Sequence, residues 1–195
     1  MTDEKQAHED LRYIRSVLAR AEPGANPATN YFLWAAITFF GYAILDFAPE
    51  RAGFYWMIAG PLGGVLSGIL GRRAARALGQ ASQREARAHF LHWTGMMAAI
   101  LLLIPLSATG GVPATEIPRL ILLLVGLAYW LAGVYLDRRM LWLAIAVAGC
   151  YLLTVFQREL PYLWTVSAGV LAASLIVCGV VAAMRTDHGE QAPPL

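Results

Sequence analysis

The chain has 195 residues, of which 58% are hydrophobic and 14% charged, and its formal net charge is +2. Soluble domains usually carry about 45–50% apolar and about 25% charged residues, so much of the apolar surface of this chain must face lipid. The small net charge excludes strong electrostatic attraction to nucleic acid, and we expect no nucleic-acid partner.

Residues 1–28 form a polar arm that precedes the first apolar segment. Between Glu9 and Ala21, apolar side chains recur every three or four residues, while Arg12 and Arg15 lie off that face. This spacing predicts an amphipathic helix, which Pro23 ends before the membrane is reached. The helix is either an anchor at the inner membrane surface or a docking helix for a partner protein.

Six apolar segments follow, near residues 29–48, 53–71, 90–107, 117–136, 140–156 and 161–184. Each is close to the length of about 20 residues that crosses a hydrocarbon core about 30 Å thick. They must be helices, because a backbone exposed to lipid has to satisfy its own hydrogen bonds. The sequence predicts an all-α polytopic membrane protein with six transmembrane helices in three antiparallel hairpins over residues 29–184. Residues 185–195 are predicted to form a disordered cytoplasmic tail.

Lys and Arg residues are distributed unevenly between the two sides of this predicted bundle. With the N-terminus inside, twelve of the fifteen lie in cytoplasmic segments, whereas Arg51, Arg119 and Arg158 lie outside. Cytoplasmic loops of membrane proteins carry an excess of basic residues. The bias therefore predicts that both ends of the chain are cytoplasmic. Each predicted helix also has one tryptophan near an end, which is typical of an interfacial aromatic belt.

The second predicted span contains Gly60, Gly64 and Gly68, which repeat every four residues and so lie on one helix face. Such a glycine zipper lets another helix backbone approach closely. The face has three interpretations: a helix contact inside the chain, the interface of a homodimer, or a narrow substrate path along the glycines.

Charged residues are nearly absent from the predicted spans, although an ionisable residue inside a membrane would be a functional candidate by default. Asp46 lies at the outer end of the first span, and Arg119 lies at the same depth in the fourth. We predict that Asp46 pairs with Arg119 or Arg158, either as a structural ion pair or as a ligand site. The lack of acids and bases at mid-depth disfavours ion-coupled transport through a carboxylate relay.

Sequence signatures of catalysis and metal binding are weak. His89 and His92 are one helical turn apart and could supply two metal ligands, but histidines at the membrane interface are the simpler interpretation. Cys150 and Cys178 lie in apolar spans and form no CxxC pair. The chain has no GxSxG, HExxH, phosphate-loop or dinucleotide motif. We therefore predict no enzyme activity, no catalytic residue, no metal and no cofactor.

The segment over residues 72–87 is the most basic loop of the chain. Its arginines include Arg72, Arg73 and Arg76, and we expect these, with Arg12 and Arg15 of the arm, to contact anionic lipid or a partner protein. A ligand that carries phosphate is the alternative for this loop.

The run from Glu9 to Arg15, EDLRYIR, resembles the opening helix of an uncharacterised family of bacterial six-helix membrane proteins. The stretch from Pro118 to Leu152, with Gly126, Gly133 and a short basic link, is similar to the fourth and fifth spans of that family. The resemblance implies a multi-pass protein of the bacterial inner (cytoplasmic) membrane, in some cases encoded near winged-helix regulators. It implies no catalytic residue.

Two functional hypotheses follow from these observations. The first is a non-enzymatic accessory or regulatory membrane subunit whose cytoplasmic face contacts a partner protein. The second is a small transporter or channel for an uncharged or weakly polar solute, which is suggested by the glycine face and by Pro61 and Pro105 as candidate kinks.

Overall fold

A computed structural model describes residues 27–77 and 83–190. The predicted amphipathic arm, with Arg12 and Arg15, lies outside the described residues. All regular structure in the described part is helical. In chain order the helices are α1 (Ala28–Phe47), α2 (Pro49–Ala77), α3 (Gln83–Leu101), α4 (Leu103–Ala108), a 3-10 turn (Ala114–Glu116), α5 (Ile117–Tyr135), α6 (Met140–Phe156) and α7 (Leu163–Glu190).

Five helical segments of the described chain are long and apolar enough to cross a membrane. The sixth apolar helix, Met140–Phe156, has 17 residues, and about 17 residues is the lower limit for a transmembrane helix. The described chain is therefore an all-helical bundle that is compatible with a multi-pass membrane protein, and six helices fit the predicted spans. The topology and the arrangement in three hairpins stay predictions.

Prolines explain several helix boundaries. Pro49 begins α2 directly after Ala48, where its missing amide proton costs no hydrogen bond. Pro105 cannot donate to the carbonyl of Leu101 and would clash with it, so the third apolar segment breaks into α3 and α4 at this point. Pro61, in contrast, lies inside α2, and the helix continues through it.

Two helices extend beyond the apolar segments from which they were predicted. The second segment was predicted over residues 53–71, but α2 continues to Ala77 through a stretch rich in Ala and Arg. α7 continues to Glu190, so it overlaps the tail predicted over residues 185–195. Hydropathy marks only the membrane-embedded part of a helix. In α2 the good helix formers Ala and Arg prolong the helix into polar sequence, whereas helix propensity does not explain the polar end of α7.

Four helices, α1, α5, α6 and α7, share the buried core. One cluster lies towards the end of α1 and the start of α7, and a second lies towards the opposite ends of these helices. The first cluster contains Tyr42, Leu122, Val147, Cys150 and Leu171, and the second contains Tyr31, Ala35, Leu143, Leu175 and Cys178.

Glycines permit the closest of these helix contacts. A side chain on Gly179 of α7 would meet the ring of Phe32 on α1 at 2.9 Å. A side chain on Gly133 of α5 would lie 2.8 Å from the backbone nitrogen of Leu141 on α6. These are the two helix pairs with the most extensive contacts in the described chain, α1 with α7 and α5 with α6.

α2 and α3 lie at the periphery of the bundle. α2 packs mainly against α1, and α3 packs mainly against α5. The share of the apolar stretch that is buried within the described chain is 44% in α7 and 11% in α2. It is zero in the segment Arg87–Ala108. The two peripheral helices therefore leave most of their apolar surface uncovered by the described chain.

Candidate functional site

The main polar network lies at the end of the bundle where α1 ends and α7 begins, which we call the Asp46 end. The carboxylate of Asp46 accepts hydrogen bonds from the backbone N–H of Trp164 at 3.3 Å and of Thr165 at 2.7 Å. The Thr165 hydroxyl donates to the same carboxylate at 2.7 Å. The first amides of a helix have no partner within it and favour a negative charge. Asp46 therefore caps α7 from the end of α1.

Arg119 makes the corresponding contact with the end of α6. Its Nε donates to the backbone carbonyl of Thr154 at 3.0 Å, and its side chain is only 13% exposed. The last carbonyls of a helix lack partners and favour a positive charge. The guanidinium also lies 5.7 Å from the centre of the Trp164 ring, within the range of a cation–π contact. One side chain thus connects α5, α6 and α7.

Glu116 is the acid that pairs with the arginines at the Asp46 end. Its Oε1 lies 2.8 Å from Arg119 Nη1 and 3.3 Å from Arg158 Nη1. The spacing of three residues between Glu116 and Arg119 is the sequence signal that identifies this pair, because such residues are neighbours on a helical turn. Sequence reasoning missed Glu116 as a site residue.

This arrangement differs from the ion pair that we predicted between Asp46 and Arg119 or Arg158. Within residues 27–77 and 83–190, Asp46 forms no ion pair with either arginine. Its two oxygens are occupied by the start of α7. The predicted residues nevertheless lie in one region, since the Trp164 backbone binds Asp46 and the Trp164 ring faces Arg119.

An aromatic layer supports this network from the side of α1 and α2. Tyr42 stacks on Trp164, with ring centres 6.0 Å apart, and meets the edge of Trp56 at 5.6 Å. The Trp56 indole N–H donates to the carbonyl of Gly41 at 3.2 Å. A side chain on Gly41 would overlap the Trp56 ring, so glycine is needed at this contact. These two tryptophans hold helices together, in addition to the interfacial role predicted for them.

The opposite end of the bundle, where α1 begins and α2 ends, is called the Tyr31 end. The buried Tyr31 donates from its hydroxyl to Asp137 at 3.3 Å, and the backbone N–H of Arg139 donates to the same carboxylate at 3.0 Å. The Trp34 indole donates to the Ser67 hydroxyl at 2.8 Å. The start of α1 is therefore connected both to α2 and to the link between α5 and α6.

Of the predicted packing residues Gly60, Gly64 and Gly68, the first is buried in the described chain and the other two are exposed. A side-chain carbon added at any of them meets no atom within 4 Å. The glycine that packs against α1 is Gly63, where an added carbon would lie 2.6 Å from Ile37 Cδ1. Gly64 and Gly68 are thus left uncovered by the described residues, and contact of the glycine face with another chain stays a prediction.

The predicted basic residues Arg72, Arg73 and Arg76 are all exposed at the last turns of α2. On α3, His92 forms a hydrogen bond with the Tyr135 hydroxyl through Nδ1, and its ring packs against the edges of the neighbouring aromatic rings. In the part of the chain that the structure describes, no group of three His, Cys, Asp or Glu side chains is placed to hold a metal ion.

The site can be interpreted only from its own geometry. In comparisons with known proteins, no family model matches the chain, and no curated protein or solved structure matches it. The chemistry of the Asp46 end is that of a helix-terminus clamp, in which an acid stabilises one N-terminus and a base one C-terminus. Such a clamp stabilises the relative positions of α1, α5, α6 and α7.

Proposed function

We propose that this chain is a non-enzymatic accessory or regulatory subunit of the bacterial inner membrane, with both ends in the cytoplasm, that binds a partner protein. The observation that carries the proposal is the exposure of α2. The described chain covers only 11% of its apolar window, although the helix is attached to α1 through Gly63 and Ser67. The resemblance of the run from Glu9 to Arg15 to the six-helix family supports the bacterial inner membrane as the location.

The length of α2 provides a reason for a cytoplasmic contact. Its 29 residues span about 44 Å at about 1.5 Å per residue, whereas the hydrocarbon core is about 30 Å thick. The last turns therefore extend beyond the apolar layer. They carry Arg72, Arg73 and Arg76 where an acidic surface of a partner, or anionic headgroups, can reach them.

The membrane part of α2 offers a second contact with the same partner. Gly64 and Gly68 are exposed and have no side chains, and a side-chain carbon added at either of them meets no atom within 4 Å. A helix backbone can approach such a face closely, which is the way in which small residues drive helix association in lipid. The partner is accordingly expected to supply a transmembrane helix, as well as an acidic cytoplasmic segment.

Photo-cross-linking in native membranes tests this proposal. A benzophenone amino acid is placed at Val65 on α2 or, as the control, at Val177 on α7, because both side chains are 61% exposed. We expect a protein adduct of one defined mass from Val65 and only lipid adducts from Val177. Introducing Arg72→Gln, Arg73→Gln and Arg76→Gln together should weaken the adduct from Val65.

The adduct mass separates the possible partners. An adduct of twice the chain mass identifies a homodimer, and any other defined mass identifies a different protein. If positions 65 and 177 yield the same lipid adducts and no protein, the proposal is wrong.

Transport of an uncharged or weakly polar solute is the alternative hypothesis. Its test is solute flux into proteoliposomes that contain the intact chain or Gly64→Leu. A path along the glycine face requires that leucine at position 64 abolish the flux. Flux that survives this substitution would count against such a path.

A further inference from the structure

Two apolar grooves adjoin at the Asp46 end, on the surface formed by α1 and α2. The first has a volume of about 500 Å³ and is lined mainly by residues of α1 between Phe39 and Phe47, with Tyr55 of α2 and Thr165 of α7. The second has a volume of about 360 Å³ and is lined mainly by α2 between Arg51 and Leu62. Ile44 and Tyr55 line both grooves. The two grooves therefore share a wall.

The dimensions of the grooves match one leaflet of a bilayer. The eleven steps from Arg51 to Leu62 on α2 correspond to about 16 Å at about 1.5 Å per residue. Half of a hydrocarbon core about 30 Å thick is about 15 Å. With Arg51 at the headgroup level, where the predicted span places it, the second groove reaches the middle of the membrane. The first groove, from Phe47 to Phe39, runs alongside α1 at the same end.

Opposite charges lie together at the mouth of the second groove. Arg51 lines the groove and is the immediate neighbour of Glu50, with 3.7 Å between Arg51 Nε and Glu50 Oε1. Their side chains are 78% and 70% exposed, and such a pair contributes little to stability. The guanidinium keeps donors with which to bind a phosphate, and the carboxylate can accept a hydrogen bond from an ammonium group.

We propose that these grooves bind one diacyl phospholipid with a zwitterionic headgroup, of the phosphatidylethanolamine type. Arg51 binds the phosphodiester, Glu50 binds the primary ammonium, and the two acyl chains occupy the two grooves on either side of Ile44 and Tyr55. The charge pair at the mouth complements this headgroup better than an anionic one, because Glu50 would repel a headgroup with only negative charge. This inference goes beyond the proposed partner binding and does not depend on it.

Native mass spectrometry of the protein, released from nanodiscs that contain equal amounts of phosphatidylethanolamine and phosphatidylglycerol, tests the proposal. We expect one retained phospholipid, mainly phosphatidylethanolamine. Arg51→Gln should lower its occupancy about tenfold, the equivalent of one charge-assisted hydrogen bond, whereas Arg158→Gln, the loss of another arginine at the same end, should not. Glu50→Gln should abolish the preference over phosphatidylglycerol.

Filling the groove gives an independent result. Ala59 lines the second groove, and Ala59→Phe should displace the lipid, whereas Ala173→Phe at an exposed position of α7 should leave it bound. Circular dichroism checks that each variant is folded. If Ala59→Phe does not fold, the lipid occupancy of Arg51→Gln still tests the proposal, because position 51 is exposed.

Other results would overturn the inference. Equal lipid retention by all variants means annular lipid only. If diacylglycerol added to the nanodiscs is retained as strongly as the phospholipid, the phosphate has no role in binding. If millimolar inorganic phosphate displaces the lipid, Arg51 makes only a simple anion contact. If Ala59→Phe changes the oligomeric state while the lipid remains bound, the groove is an interface between copies of the chain.

Discussion

Asp46 and Arg119 have opposite charges and bind opposite kinds of helix terminus. Asp46 accepts from the first amides of α7, and Arg119 donates to a late carbonyl of α6. Each side chain thereby binds backbone groups at the end of another helix, where those groups have no partner within that helix. Both side chains are half-buried, and without them three backbone groups, the amides of Trp164 and Thr165 and the carbonyl of Thr154, would lose these partners.

Replacing Asp46 should destabilise the bundle. For Asp46→Ala we expect a loss of about 1–2 kcal/mol in the free energy of unfolding, the usual effect of removing a helix N-cap. Thermal unfolding in mild detergent, followed by circular dichroism, is the measurement. Glu50→Gln, an exposed acid close by, is the matched control and should change little. Equal stability of Asp46→Ala and the parent would exclude the capping role.

Arg119 should not be replaceable by lysine. Arg119→Lys retains the charge but loses the planar group that reaches Thr154, Glu116 and Trp164 together. We expect a destabilisation of about 1–3 kcal/mol, as for other charge-assisted hydrogen bonds.

Arg158 provides the comparison for this experiment in the same unfolding assay. Its side chain is 58% exposed, and among the described residues its ion-pair partner is Glu116, so Arg158→Gln should cost less than about 1 kcal/mol. A larger destabilisation at Arg158 than at Arg119 would contradict the role of Arg119 as the side chain that connects α5, α6 and α7.

Among the helices, α2 has one face attached to the chain and another that is open. Gly63 and Gly64 are adjacent in sequence, yet only Gly63 faces α1. Successive residues of a helix are separated by about 100°, so neighbours point in different directions. Glycine spacing alone identifies a face that can be packed, but it does not identify the helix that packs there.

Gly63→Leu and Gly64→Leu should therefore have different effects. Leucine at position 63 would overlap Ile37 and Trp34, so we expect a destabilisation of about 1–3 kcal/mol, the usual effect of overpacking. Leucine at position 64 should leave the stability of the isolated chain unchanged and weaken only its assembly with a partner. Unfolding in detergent measures the first effect, and cross-linking from Val65 measures the second.

The link between α5 and α6 depends in a similar way on Gly133. Gly133→Ala brings a methyl group against the Leu141 backbone, which cannot move as freely as the end of a side chain. We expect a loss of about 1–3 kcal/mol. Gly149→Ala, on an open face of α6, is the control and should not destabilise the chain. A neutral Gly133→Ala would show that the link can shift without cost.

For the whole molecule, the predicted orientation can be tested with single cysteines. Cys150 and Cys178 are both buried, so they should contribute little background labelling. Arg158→Cys at the Asp46 end should react in intact cells with a maleimide that does not cross membranes. Arg73→Cys, near the opposite end of α2, should react only after the membrane is opened. The reverse pattern would place the Asp46 end in the cytoplasm.

Much of the architecture was predictable from the sequence because hydrophobic length is a local property. A run of about 20 apolar residues is enough to predict a membrane-crossing helix, whatever its neighbours are. The described chain contains five such helices and the shorter α6. Prolines at 49 and 105 likewise explain helix boundaries through the covalent chemistry of one residue.

The sequence alone therefore determined the helical class, the approximate helix boundaries and three of the residues at the Asp46 end, Asp46, Arg119 and Arg158. The tertiary structure decided which groups pair. Glu116 pairs with the two arginines, Asp46 binds the start of α7, and Gly63 packs against α1. The physical reason is that a pairing depends on which helix faces meet. Faces are chosen by packing among distant segments, and spacing along one segment does not contain that information.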